Sequence, residues 1–310
     1  MKRVLCLLLI LLSLLQTAQA AEEIYIANPD PADRLHLRKG PNRSSESLAK
    51  YYNGAPVSYL GVEDNGWMKV DVGIGAAKQT GYMLATYLSS KPSKSAMPQY
   101  ITGKPVKGYH HPNLTAQSVT IAGGRLLCLM GLNESWWHVM VCTGTSEGNY
   151  SCFVPAGSDD LIPLAGTRTV NIYISNPDQT DRLHLRSAPS TESRSLGKYY
   201  NGCVGTLKGF TEDGEWLHVE LYGRTGYMKS EYVYVEGQGP NPTYYGIPTV
   251  QTRSAATLYH DVTLTRRLQS ISTATKIEVL GIVNQQILQV RFGDRVGYIK
   301  WSTVDYVDPK

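Results

Sequence analysis

The chain has 310 residues, room for two or three domains of ordinary size, and its 18% charged and 42% hydrophobic residues exclude an intrinsically disordered chain. The formal charge is +4, from 30 basic and 26 acidic residues; without Lys2 and Arg3, which fall in a leader, 28 face 26, or +2. So small an excess excludes a general electrostatic drive toward nucleic acid or anionic lipid.

The first residues read MKRVLCLLLILLSLLQTAQA. A basic start, an apolar run from Val4 to Leu15 and the small-x-small Ala18-Gln19-Ala20 predict a signal peptide over residues 1–20. The run is short for a bilayer span, and Cys6 precedes the place a lipoprotein cysteine would take. The mature chain is therefore expected to be secreted or envelope-associated, with no membrane insertion after cleavage. Its four cysteines, Cys128, Cys142, Cys152 and Cys203, show no CxxC spacing. No structural zinc, other metal or cofactor is expected.

The strongest signal is internal repetition. IYIANPDPADRLHLRKGPNRSSESLAKYYNG, residues 24–54, returns as IYISNPDQTDRLHLRSAPSTESRSLGKYYNG, residues 172–202, without a gap. Asn65-Gly66-Trp67 then answers Asp213-Gly214-Glu215-Trp216, and Thr80-Gly81-Tyr82-Met83 answers Thr225-Gly226-Tyr227-Met228. A fainter copy follows each strong one, the last ending in Val296-Gly297-Tyr298-Ile299. Polar stretches at 89–95 and 236–242 read as linkers. The expected units are 21–90, 99–166, 170–235 and 244–310. Within them hydrophobicity has period two: Leu35 and Leu37 alternate with Arg34, His36 and Arg38. No amphipathic helix is predicted. Short strands with nothing to cover both faces must close on themselves, so each unit is expected to be a small β-barrel and the chain all-β.

The run RLHLRKGPNRSSESLAKYYNGAPVSYLG, then NGWMKV, TGYM and YL, resembles the bacterial SH3 domain (SH3b). The likeness is strong for the first and third units, less for the fourth, and weakest for the second, which lacks the Leu-x-Leu-Arg strand and the Gly-Pro. The resemblance implies four SH3-like barrels in tandem. It also implies an exported protein of the kind that often binds peptidoglycan beside a lytic domain.

No lytic domain is expected. Asn149 to Val154 looks a little like the Asp-Cys-Ser-Gly-Phe motif of the NlpC/P60 cysteine peptidases, but Ser151 precedes Cys152 and no Ser-Gly follows. The next His downstream, His184, belongs to the third repeat, so no base is placed to activate the thiol. A hairpin from Thr143 to Asn149 suggests a Cys142–Cys152 disulfide. Cys203 stands where the first repeat has Ala55 and is read as a small buried residue. His110-His111 point to opposite faces if on a strand and are read as loop residues rather than ligands.

Arg34, His36 and Arg38 share the face opposite the core leucines. Arg38 is read as structural, held by Asp33 or Asp30. The residues left for ligand contact are Arg34, His36, Tyr52, Trp67 and Tyr82, with Arg182, His184, Tyr200, Trp216 and Tyr227. One tyrosine of each pair, Tyr51-Tyr52 and Tyr199-Tyr200, should face in and one out. The function expected is non-catalytic, multivalent binding of peptidoglycan or another cell-envelope polymer, with the first and third units binding and the others spacing them. The alternatives are an extracellular protein–protein interaction module, such as an adaptor or host-surface binder, and an accessory subunit of a cell-wall hydrolase.

Overall fold

The computed structural model describes residues 24–62, 65–91, 94–166, 169–238 and 247–305. The expected signal peptide lies outside the described residues, as do parts of both linkers. The described chain is all-β, and its helical residues are three single 3-10 turns, Ala85–Tyr87, Ser230–Tyr232 and Trp301–Thr303.

In the first repeat the strands lie side by side, all antiparallel, in the order Ser47–Tyr51, Leu35–Arg38, Gln79–Leu84, Trp67–Val72, Pro56–Val62, Ile24–Ile26 and Leu88–Ser89. The third repeat has the same order, from Ser195–Tyr199 through Leu183–Arg186, Arg224–Lys229, Trp216–Leu221, Val204–Phe210 and Asn171–Ile174 to Val233–Val235. The order recurs in residues 99–163, from Ser118–Ile121 through Val106–Tyr109 to Leu161–Pro163. It recurs again from Thr249 to Val304, where a bridge between Thr252 and Val304 stands for the last pairing.

Packing explains why the second segment lacks the Leu-x-Leu-Arg strand. In the first repeat a Cβ on Gly81 would lie 2.8 Å from Leu37 Cγ, so that glycine exists to admit the leucine. Gly226 and Gly297 stand in the same relation to Leu185 and Leu258. The second segment inverts the pair. Gly108 takes the leucine's place, and the equivalent of Gly81 is Cys152, opposite Val139 as Gly81 is opposite Val70. A Cβ on Gly108 would come within 2.5 Å of Cys152 Sγ. Cys152 therefore fills core volume, and it is fully buried.

This placement corrects the expected Cys142–Cys152 disulfide. The hairpin forms, but Cys152 enters the interior of the second segment with Val139 and Phe153, whereas Cys142 packs on the other side of the sheet. No bond joins the two. Cys203 is buried as expected, with its Sγ donating to the Leu280 carbonyl at 3.2 Å.

The units join by backbone pairing. Tyr51 pairs with Gly131 and Lys50 with Leu132, which fuses the first two segments into one 14-stranded sheet. Tyr199 pairs with Gly281 and Lys198 with Ile282, which fuses the last two into a 13-stranded sheet. Both glycines follow a bulge, and the tyrosine ring of the neighbouring unit lies on each: a Cβ would come within 2.4 Å of Tyr51 at Gly131 and 2.8 Å of Tyr199 at Gly281. Between the sheets the Gln99 side chain acts as a short strand, donating to the Phe210 carbonyl at 2.8 Å and accepting from its N–H at 3.2 Å. Tyr51 and Tyr199 are the inward members of their pairs, and Tyr52 and Tyr200 are half-buried.

Candidate binding site

The RLHLR strand sets one face of each strong repeat. In the third, Leu183 and Leu185 go to the core and His184 and Arg186 project outward, while Arg182, just before the strand, is buried. Arg186 pairs with Tyr227, Tyr227 with His218, and Trp216 with Lys229, so these side chains share that outer face across three strands. The His218 and Tyr227 rings stack at 4.9 Å, and Lys229 Nζ sits 5.2 Å over the Trp216 ring while donating to Glu215 at 2.8 Å. Trp216 is only 6% exposed.

Arg186 Nη1 donates to the Ser193 carbonyl at 2.8 Å, and Arg38 Nη1 to the Ser45 carbonyl at 2.7 Å. The structural reading of Arg38 is thus correct in kind but not in partner: the loop backbone holds it, not Asp33 or Asp30. Those acids serve the preceding loop, where Asp33 accepts from the Arg34 N–H and Asp30 from the Ala32 N–H. The loop is pinned from behind. The Asn28 N–H donates to Asn53 Oδ1 at 2.8 Å, and Asn53 Nδ2 returns a bond to the Asn28 carbonyl at 2.7 Å. Asn176 and Asn201 repeat this with the same lengths. The Asn-Pro-Asp and Tyr-Tyr-Asn-Gly motifs are therefore two halves of one clasp.

His36 Nδ1 lies 2.7 Å from Ser47 Oγ and His184 Nδ1 lies 2.8 Å from Ser195 Oγ. Both have lowered pKa values, first through burial and then through neighbouring cations: Arg38 and Lys50 for His36, Lys198 and Arg186 for His184. At neutral pH these imidazoles are uncharged, so the positive charge of the face belongs to its arginines and lysines.

The sequence-predicted residues divide between two places. A cleft of about 430 Å³ in the third repeat gathers Asp178, Asp181, Arg182, His184, Trp216 and Lys229. Arg182 is 3% exposed, its guanidinium lies 5.1 Å over the Tyr200 ring, and Nη1 donates to Tyr200 Oη at 3.3 Å. Its Nε and Nη2 have no hydrogen-bond partner among the described residues. Arg34, 5.5 Å over Tyr52, instead lines a cleft of about 760 Å³ between the first and second segments, with Lys50, Glu134 and Trp136. Tyr82 pairs with Arg38 and Lys69, and Trp67 is 6% exposed opposite Leu84.

Lys229 and the two loop acids were not singled out by the sequence. The signal for Lys229 was a difference between near-identical repeats, since it stands where the first repeat has Leu84, beside the inserted Glu215, whereas Asp178 and Asp181 recur as Asp30 and Asp33. His110 and His111 sit in a turn, half-buried and exposed respectively. Among the described residues no three His, Cys, Asp or Glu side chains are grouped to hold a metal ion.

Residues 33–89 and 181–234 match the bacterial SH3 domain. No curated protein matches the chain. Two solved structures are similar to part of it, NlpC2 and NlpC1 from Trichomonas vaginalis, at 10% and 11% identity and a TM-score of 0.24 each. The match covers 46% of this chain and 50% and 48% of theirs, so the chain spans about half the length of these structures. The first and third repeats of the chain are bacterial SH3 domains.

Proposed function

We propose that this is an exported, non-catalytic protein of four SH3-like units that binds the peptide part of a cell-wall polymer, with the cleft of the third repeat as its main site. The carrying observation is the composition of that cleft. Lys229 covers Trp216, and Arg182, His184, Asp178 and Asp181 line the same cleft. Such a surface offers cations to a carboxylate, acids to an amine and an aromatic edge to the chain between them. Short peptides that carry both charges, as wall stem peptides do, fit it.

The non-catalytic reading is supported by Cys152. Its burial pushes the thiol pKa up to about 12, which keeps it protonated and a poor nucleophile at neutral pH. The test is co-sedimentation of the mature protein with purified sacculi at low salt. Trp216→Ala and Lys229→Glu are expected to weaken binding roughly tenfold each. Absence of sedimentation by the parent protein would overturn the proposal, and a clearing zone on a wall-substrate gel would overturn the non-catalytic part.

A further inference from the structure

Cys128 lies on the Leu126–Leu132 strand and Cys142 ends the adjacent Trp136–Cys142 strand. The register sets Cys128 opposite Met140 and Leu126 opposite Cys142, so the two cysteines are diagonal neighbours on one face of the sheet. Their sulfurs are 3.8 Å apart, and the residues are 1% and 2% exposed. The other two thiols are committed elsewhere, Cys152 to the interior of its own segment and Cys203 to the Leu280 carbonyl.

We propose that Cys128 and Cys142 form a disulfide in the exported protein; the compartment, though not the geometry, rests on the export reading above. The sulfurs already touch, and about 2 Å has to be removed, by the side chains and the strand backbone together, to reach bonding distance. The oxidant is the disulfide of a thiol–disulfide oxidoreductase. One cysteine thiolate attacks it to give a mixed disulfide. The second thiolate then displaces the oxidoreductase sulfur, so the S–S bond forms as two protons leave and both electrons pass to the oxidoreductase dithiol. Because both sulfurs are covered in the folded chain, the bond forms before the second segment packs against the third.

The position gives the bond a role. The end of this hairpin carries part of the contact between the two sheets: the Gly144 N–H donates to the Asp213 carbonyl at 3.0 Å, and a Cβ on Gly214 would lie 3.2 Å from Cys142 Cβ. A Cys128–Cys142 bond fixes the strand pair from which that contact is made.

The experiment is peptide mapping of the protein recovered from the envelope or medium, denatured and alkylated without reductant. The expected result is alkylated Cys152 and Cys203 with a cross-linked peptide joining Cys128 and Cys142. Four alkylated cysteines in exported protein, or a link to Cys152, would overturn the proposal. Amino-terminal sequencing of the same sample shows whether residues 1–20 were removed, which tests export separately. If export fails, residues 21–310 are refolded in a glutathione redox buffer: the same link supports the pairing, and four free thiols refute it. Cys128→Ser should abolish the cross-link and leave three alkylated cysteines.

Discussion

His138 gives the structure its sharpest pH test. The ring is 2% exposed at the junction of the first two segments, stacked on Phe153 at a centroid distance of 4.1 Å. Nε2 lies 2.9 Å from the Ala77 carbonyl and donates to it, and Nδ1 lies 2.9 Å from Tyr51 Oη, which itself donates to Gln79 Oε1 at 2.8 Å. Burial lowers the His138 pKa from 6.5 to about 3, and the bond to Ala77 opposes this only in part. The folded value lies below the unfolded one, so on acidification the unfolded chain takes the proton first. The contribution of a neutral His138 is complete above pH 6.5 and is lost as pH falls from there toward 3. Between pH 7 and pH 5 the loss is about 2 kcal/mol, well inside the range of a folding equilibrium and mostly above carboxylate titration. His36, His184 and His218 have lowered values too and act in the same direction. They remain in a His138→Gln variant, whose amide can still donate to Ala77 and does not titrate. Urea unfolding at the two pH values should show the parent protein losing about 2 kcal/mol more than the variant. Equal losses would refute the neutral, buried His138.

Two further predictions concern packing and hydrogen bonds. Gly131→Ala should cost about 1–3 kcal/mol in thermal or urea unfolding, because the new methyl meets the Tyr51 ring, while Gly61→Ala, at the equivalent bulge with nothing within 4 Å, should be close to neutral. The buried Thr102 hydroxyl donates to the Ala122 carbonyl at 2.6 Å and accepts from the Arg125 N–H at 2.9 Å, so Thr102→Val should lose about 1–3 kcal/mol and speed hydrogen exchange at the Arg125 amide.

How much was legible follows from the kind of interaction. Alternation in RLHLR put Leu35 and Leu37 inside, because a strand's period fixes which side chains share a face whatever surrounds it. Repetition announced one fold used again, and the small Cys203 in place of Ala55 announced its own burial. The second segment was the hardest to read because its core is solved inside out: Gly108 and Cys152 exchange the volumes that Leu37 and Gly81 hold elsewhere. The exchange is evident only when both strands are seen together.

The candidate site shows the same division. The sequence supplied Arg182, His184 and Trp216 as residue types, and could tell that Arg38 was structural. It could not tell that Arg38 bonds a carbonyl, since backbone acceptors leave no mark in a sequence. Nor could it tell that Arg34 faces a junction cleft, or that the Trp216 cleft is completed by Lys229. By itself the sequence determined the strands, their faces and the repetition, because these depend on local periodicity and on duplication. The tertiary structure decided which cysteines meet, how paired units share a sheet through Tyr51 and Tyr199, and which charges border one cleft. Those depend on contacts between residues far apart in the chain, and only the closed fold brings them together.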